Sequence, residues 1–326
     1  MKVAVIGAGV MGLATGWALK RRGIEPVVYE QFEVGNPHGS SHGRSRIFRL
    51  AYAEERYVRL AQEAFALWRE LEAESGETLL ELYGLVEVVR TLEESTAPTL
   101  ERCGVAWERL DREEAERRYP IRVPEGSFAV LQPEAGIARA DKALAAFARD
   151  LDVREHTRVT PDEVDADVVV VTAGSWVNEL LDEPLRVKTT RETLSYFRPE
   201  DGKPVPSVVS FHPDRHTHDM YSLHDPVYGL KVGAHHAGRD ADPNVPGEPD
   251  PHLIERITAW ANETYRLADP RPAGAETCMY TTTADESFVL ERRGRVVIGS
   301  PCSGHGFKFA PAIGERLADL ALDAAA

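Results

Sequence analysis

The sequence predicts an α/β fold (α+β over the whole chain) in which a Rossmann-like domain, built from separated segments, is joined to a β-sheet-rich domain. A glycine-rich turn, Gly7-Ala8-Gly9-Val10-Met11-Gly12, follows an apolar run at the start of the chain. Apolar runs of the same kind recur at 167–172 and 295–299, and the intervening segments have shorter strand patterns. We therefore predict a nucleotide-binding domain from residues 1–78, 138–188 and 276–326, and a substrate domain from residues 79–137 and 189–275.

Each predicted element depends on its own hydrophobic pattern. Short apolar, β-branched runs predict strands at 2–6, 26–30, 83–90, 127–132, 167–172 and 295–299. Helical patterns are found at 12–22, 54–75, 140–151, 251–267 and 311–322. Between 190 and 238 the sequence predicts short strands separated by turns. The 54–75 helix is amphipathic, since one face carries Tyr57, Leu60, Ala64, Trp68 and Leu71.

Composition narrows the possible partners. The chain has 326 residues and a formal net charge of −15. That charge argues against nucleic acid or an anionic membrane as partner, and an anionic ligand would need a local cluster of Arg or Lys. No window of about 20 apolar residues predicts a membrane span. Three cysteines, Cys103, Cys278 and Cys302, do not make a disulfide framework, so we expect a cytoplasmic location.

The glycine turn has the spacing of a dinucleotide-binding site. Gly7 allows a tight turn, Gly9 allows a phosphate to approach the backbone, and Gly12 allows the helix to pack on the strand. The helix N-terminus then offers N–H groups to a pyrophosphate. Glu30, at the end of the second strand, is positioned to accept hydrogen bonds from a ribose. This pattern does not distinguish FAD from NAD.

Further motifs occur in order along nearly the whole chain: Ser41-His42-Gly43-Arg44-Ser45-Arg46-Ile47-Phe48-Arg49, Ala173-Gly174-Ser175-Trp176, Gly229-Leu230-Lys231-Val232-Gly233-Ala234-His235, Thr277-Cys278-Met279-Tyr280-Thr281 and Gly304-His305-Gly306-Phe307-Lys308-Phe309. Together they resemble the monomeric sarcosine oxidase family, which includes N-methyl amino acid and pipecolate oxidases among the D-amino-acid-oxidase-like flavoproteins. The resemblance implies FAD as cofactor.

The resemblance also implies which residues hold the flavin. Cys278 matches the cysteine that attaches covalently to the flavin 8α-methyl group, whereas Cys302 matches no attachment position and Cys103 is expected to be inert. His42 and Arg46 match residues beside the flavin. The full set of expected cofactor residues is Gly7, Gly9, Val10, Met11, Gly12, Glu30, His42, Ser45, Arg46, Val159, Gly174, Trp176, Cys278, Gly304, Gly306, Phe307 and Lys308.

Three cations match catalytic positions of the family. Arg49 and Lys308 match the pair that holds the substrate carboxylate, and charge-assisted donors suit that role. Lys231 matches the lysine that activates O₂. Side chains expected around the substrate are Tyr221, Tyr280 and His235.

The implied activity is oxidation of a small secondary amino acid, with sarcosine giving glycine, formaldehyde and H₂O₂. The expected partners are this amino acid and O₂, and the expected state is a monomer. Three alternatives stay open: a flavin dehydrogenase with another electron acceptor, an NAD-linked dehydrogenase, and a non-catalytic flavin-binding protein. Proline, pipecolate, N-methylalanine and N-methyltryptophan also stay open as substrates.

Two segments depart from the family pattern. The stretch from Val159 to Asp167 is short, and the stretch from Tyr221 to Lys231 contains an unusual Ser222-Leu223-His224-Asp225. The second departure bears on substrate identity. A separate cluster, His212, His216 and His218, has no regular scaffold, so a solvated loop is predicted there and no metal site.

Overall fold

The computed structural model describes residues 1–200, 204–210, 220–300 and 303–323. Cys302 and the loop with His212, His216 and His218 lie outside these residues. Within the described part, the strands in chain order are β1 (Val3–Ile6), β2 (Val27–Tyr29), β3 (Ser45–Phe48), β4 (Leu80–Glu81), β5 (Leu85–Val89), β6 (Glu108–Leu110), β7 (Phe128–Gln132), β8 (Gly136–Arg139), β9 (Asp152–Arg154), β10 (Val168–Val171), β11 (Val187–Phe197), β12 (Ser207–Ser210), β13 (Met220–Asp225), β14 (Gly229–Ala234), β15 (Arg239–Asp240), β16 (Gly274–Thr283), β17 (Leu290–Arg293) and β18 (Val296–Gly299).

Seven α-helices occur among the described residues. In the same described ranges they are α1 (Val10–Arg21), α2 (Glu55–Ser75), α3 (Ala97–Arg102), α4 (Arg112–Arg118), α5 (Ala140–Ala148), α6 (Pro251–Thr264) and α7 (Ala310–Leu322). Short 3₁₀ helices occur at 92–94, 161–163, 174–179 and 307–309. No helix among the described residues is long and apolar enough to cross a bilayer.

The first sheet has the order β17-β18-β10-β1-β2-β9, and β1 pairs in parallel with both β10 and β2. The chain therefore leaves β1 toward one side of the sheet and later returns on the other. The carboxyl end of β1, where the glycine turn lies, is thus a topological switch point, which is where such sheets bind ligands. Alternate residues of β10 are buried on opposite faces, which explains its unbroken run of valines.

The second sheet has the order β15-β11-β14-β13-β12-β5-β7-β6, and β16 pairs with β11. Strand β11 lies between β14 and β16. Its Tyr196 is paired with Lys231 of β14, and its Leu194 is paired with Glu276 of β16. Side chains two residues apart on a strand share a face. One face of this sheet therefore presents Tyr221, Lys231, Glu276, Cys278 and Tyr280. A third sheet, β3-β8-β4, carries Ser45 and Arg46.

The predicted α/β fold is confirmed, and most predicted elements agree with the observed ones within a few residues. Two predictions were wrong. The 251–267 helix ends at Thr264, because Tyr265 and Leu267 leave it to form bridges with Ile121 and Pro199. The segment from 190 does not begin with a short strand, because it starts inside β11, a strand of eleven residues of which ten pair with β16. The division into two domains with stated boundaries remains a prediction.

Helices α1 and α7 are in direct backbone contact at Gly314. A Cβ atom added there would lie 2.6 Å from the carbonyl of Ala14 and 3.0 Å from the nitrogen of Thr15. Backbone atoms cannot rotate away as a side-chain end could. We expect Gly314→Ala to lower the free energy of unfolding by about 2 kcal/mol, measured by chemical denaturation.

Gly274→Ala is the matched control for this prediction. The nearest atom to an added Cβ at Gly274 is the hydroxyl of Tyr228 at 3.9 Å, which is an ordinary contact. Its stability should stay close to that of the natural protein. If Gly314→Ala is as stable as Gly274→Ala, the close approach of the two helices is contradicted.

Candidate active site

One cavity of about 700 Å³ extends from the carboxyl edge of the parallel sheet to the shared face of β13, β14 and β16. This volume is within the range of small-molecule sites. Most of the residues that the sequence analysis named for the site lie on its wall. Two do not: His42 is buried beneath the wall, and Gly12 lies inside the turn.

The glycine turn brings the start of α1 against the end of β1. Gly7 has φ +103°, a conformation that favours glycine. A Cβ at Gly12 would lie 1.9 Å from the carbonyl oxygen of Gly7, so only glycine lets the helix begin this close to the turn. Gly12 therefore contributes packing and not a cavity surface. The first turn of α1 has no acidic side chain, which suits an anion at its N-terminus.

Glu30 is buried at the end of β2 and faces the turn. Its carboxylate accepts the N–H of Ala8 at 2.8 Å and the N–H of Phe32 at 3.0 Å. Next to it, the N–H of Val10 at the start of α1 donates to Ser41 Oγ at 3.0 Å. The turn, the carboxylate and the helix N-terminus thus form one cradle on the cavity wall. A glycine turn, a carboxylate at the end of the second strand and a helix N-terminus are the parts of a site that holds a pyrophosphate and a ribose.

The cavity continues past this cradle toward β16. The other predicted cofactor residues on its wall are Met11, Gly9, Ser45, Arg46, Val159, Gly174, Trp176, Gly304, Gly306 and Phe307. Arg46 donates to the carbonyls of Ser40 at 2.8 Å and His42 at 2.6 Å. Burial and the nearby Arg46 lower the pKa of His42 to about 4, so its imidazole is neutral at neutral pH. Nε2 of His42 is buried and has no hydrogen-bond partner in the described part of the chain.

Cys278 lies at the centre of β16 and lines the cavity. It is a free thiol and is 7% exposed. Burial raises the pKa of this thiol. Cys103 is also buried and free, but it does not line the cavity.

Lys231 is buried on the same sheet face, with 3% of its surface exposed. Its Nζ lies 3.1 Å from Glu276 Oε1, and the hydroxyl of Tyr196 donates to the same oxygen at 2.5 Å. Burial and Arg46 lower the pKa of Lys231, while Glu276 acts in the opposite direction. Glu276 was missed in the sequence. It lies two residues before Cys278, so recognising the strand would have put both side chains on one face.

Arg49 and Lys308 both lie near the ring of Tyr52 on the cavity wall. The Arg49 guanidinium lies 4.3 Å from the centroid of the Tyr52 ring, and Lys308 Nζ lies 5.6 Å from it. Lys308 is 5% exposed, and its backbone carbonyl accepts the indole N–H of Trp68 at 2.8 Å. The side chain of Lys308 donates to the carbonyl of His305 at 2.6 Å. Tyr52 and His305 line the cavity and had not been predicted as site residues.

Three predicted side chains, Tyr221, Tyr280 and His235, form a cluster of rings beside these cations. His235 Nδ1 lies 3.3 Å from the hydroxyl of Tyr280, and the rings of His235 and Tyr221 are 6.3 Å apart. Burial first, and then neighbouring histidines and the two cations, hold the pKa of His235 well below its usual value. Burial likewise raises the pKa of Tyr280 well above its usual value. All three side chains are therefore neutral at neutral pH.

A cavity at the switch point of a parallel sheet, with a glycine turn and Glu30 on its wall, is typical of the class of dinucleotide-binding proteins. Residues 2–320 match the family described as FAD dependent oxidoreductase. The chain belongs to this family, and FAD is its cofactor.

Similar proteins indicate which kind of FAD-dependent oxidoreductase this chain is. The chain is 32% identical to the human peroxisomal sarcosine oxidase over 364 residues, which covers 98% of this chain and 91% of that protein. It is 30% identical to a Bacillus monomeric sarcosine oxidase, with coverage of 98% and 92%. A solved structure of NikD, described as an unusual amino acid oxidase, is similar with a TM-score of 0.84 and 27% identity, covering 99% of this chain and 94% of that one. The protein is thus a flavin-dependent amine oxidoreductase.

The carboxylate of Glu30 is expected to be needed for cofactor binding. Glu30→Ala removes the acceptor that holds the N–H of Ala8 and leaves the end of β2 without its carboxylate. We expect the purified variant to contain less than about a tenth of the flavin per protein found in the natural chain, by absorbance. Glu33→Ala is the control, since Glu33 is exposed three residues away. Equal flavin content in the two variants would contradict this role.

Proposed function

We propose that this protein is an FAD-dependent oxidase of small secondary amino acids, with sarcosine as the first candidate. Sarcosine would give glycine and formaldehyde, and O₂ would be reduced to H₂O₂. The observation that supports this most is the pair of cations, Arg49 and Lys308, on one wall of the cavity around Tyr52. In a chain of net charge −15, such a pair selects a carboxylate.

The residues around this pair suit an amine next to the carboxylate. His235, Tyr221 and Tyr280 line the neighbouring wall and are neutral, so they add no cation that would repel the amine. Orientation of the amine is what these side chains contribute. When bound, FAD supplies the two-electron oxidation of the amine and passes the electrons to the acceptor. The cradle at Gly7, Gly9 and Glu30 would hold its pyrophosphate and ribose.

A buried cation at the cavity supports O₂ as the electron acceptor. Lys231 lines the cavity on the shared sheet face, two strands away from Cys278. A fixed positive charge there would stabilise the negative charge that develops as O₂ is reduced. Glu276 keeps the lysine in place and raises its pKa against burial.

Replacing Lys231 should separate the two half-reactions. We expect Lys231→Met to leave anaerobic flavin reduction by the substrate nearly unchanged and to slow reoxidation by O₂ about a hundredfold or more. Stopped-flow absorbance measures both rates. Lys188→Met is the control, because Lys188 is an exposed lysine of the neighbouring strand β11. Equal reoxidation rates in the two variants would show that Lys231 has no role in the reaction with O₂.

Covalent attachment of the flavin at Cys278 is a separate part of the proposal. The thiol lines the cavity in a motif that matches the family's attachment site. We expect Cys278→Ser to release its yellow cofactor on acid precipitation, whereas the natural protein retains it in the pellet. Cys103→Ser, a change at another buried thiol, should behave like the natural protein. Release of flavin from the natural protein by acid would exclude the covalent bond.

The proposal includes a monomer in a reducing compartment such as the cytoplasm. Two buried free thiols among the described residues support the compartment, and the similarity to monomeric sarcosine oxidases supports the monomer.

A second candidate is an amine dehydrogenase that passes electrons to another acceptor. The ion pair of Lys231 and Glu276 favours it, because a neutralised cation stabilises reduced oxygen species less.

The experiment that distinguishes the oxidase from the dehydrogenase is a peroxide assay of the yellow protein with sarcosine, N-methylalanine, N-methyltryptophan, proline and pipecolate. Stoichiometric H₂O₂ supports the oxidase. Slow peroxide formation with fast reduction of an artificial acceptor supports the dehydrogenase, and no flavin reduction by any of them contradicts both.

A further inference from the structure

A group of potential metal ligands lies at the side of the cavity that carries His235. His235, His236 and Glu286 each offer one ligand atom, and these atoms lie within 4.8 Å of one another. His235 and His236 follow strand β14, and Glu286 lies between β16 and β17. The two imidazole rings are 4.0 Å apart, and His236 Nε2 lies 3.6 Å from Glu286 Oε2.

Two observations indicate that this group is arranged for a ligand. His236 Nε2 is buried and has no hydrogen-bond partner among the described residues. A buried nitrogen without a partner costs free energy that a bound cation would recover. In addition, His236 and Glu286 have φ of 53° and 57°, a strained conformation shared by only four non-glycine residues in the described part of the chain. Such strain persists where the surrounding structure imposes it, and it is concentrated at functional sites.

The donor chemistry fits a zinc-type cation. His235 has its Nδ1 at 3.3 Å from the Tyr280 hydroxyl, which leaves Nε2 for a metal and gives the ring an orienting partner. Ligand atoms around tetrahedral zinc are roughly 3.4 Å apart. The exposed carboxylate of Glu286 can close the remaining distance by rotation of its side chain.

We propose that His235, His236 and Glu286 bind a first-row divalent cation such as Zn²⁺, and that the bound cation blocks the substrate cavity. Two imidazoles and one carboxylate are a common zinc donor set that leaves one position open. Because His235 also lines the cavity, a cation held there occupies space next to Tyr280 and competes with the amine. The site would make the enzyme sensitive to free zinc.

Binding is tested first, without turnover, so this result does not depend on the proposed substrate. The FAD-loaded protein is titrated with zinc chloride by calorimetry, and with cobalt chloride by visible absorption. We expect one equivalent to bind to the natural protein. His236→Asn should weaken binding by roughly tenfold or more. Asn tolerates the left-handed backbone of His236, so the variant should keep its fold.

His252→Asn is the matched control, because His252 is exposed near the start of α6 and is not part of the group. Glu286→Gln is the second ligand variant, and its affinity should fall as that of His236→Asn does. Flavin content per protein checks that each variant is folded. No binding by the natural protein, or equal affinity in all four proteins, overturns the site.

Inhibition is tested separately, with the amine that reduces the flavin. We expect zinc to raise the apparent KM without lowering kcat, and EDTA to reverse the effect. In His236→Asn the same inhibition should need at least about ten times more zinc. Zinc that binds with one equivalent but inhibits independently of amine concentration would keep the site and overturn the blocking of the cavity.

Discussion

The ion pair between Lys231 and Glu276 imposes the tightest constraint on this structure. Removing a lysine from water costs several kcal/mol, and only a well-placed partner offsets that cost. Here the partner lies across the central strand β11, at 3.1 Å. The contact requires correct register of β14, β11 and β16 at the same time, because a one-residue slip would turn either side chain to the other face. The same register places Tyr221, Cys278 and Tyr280 on the cavity wall, so the ion pair and the site depend on one arrangement of strands.

Several cations lie on the wall of the cavity beside carboxylates such as Glu30 and Glu286. Arg46, Arg49, Lys231 and Lys308 all line it, although the chain carries a net charge of −15. The buried cations among them can pair with anionic groups of a dinucleotide or a carboxylate substrate. Nearby imidazoles stay neutral chiefly because they are buried: burial and then Lys308 lower the pKa of His305 to about 3, and Arg46 adds to the effect of burial on His42. Neutral imidazoles can serve as hydrogen-bonding groups or as metal ligands.

The sequence predicts local features of this site better than distant contacts. The turn at Gly7 and its helix could be recognised because glycine spacing and an adjacent strand determine them within thirty residues. Strand β16 was not predicted, since its Gly274, Ala275 and threonines have no clear alternation of apolar side chains. Glu276 and Tyr52 were missed for a further reason, because their roles arise only when separate strands and loops pack together. Lys231 and Lys308 were found through motifs, and each by itself would have been assigned to the surface.

The unusual segment Ser222-Leu223-His224-Asp225 bears less on substrate choice than its sequence suggests. It forms most of β13, where alternate side chains point in opposite directions. Leu223 lines the cavity, whereas Ser222 contacts the hydroxyl of Tyr265 and His224 packs against Tyr83. Asp225 accepts the N–H groups of Val227 and Tyr228 and pairs with Arg44. These three residues therefore fix the hairpin and its attachment to the loop before β3. If this segment affects which amine the cavity accepts, it must do so through Leu223 or through the position of the neighbouring Tyr221.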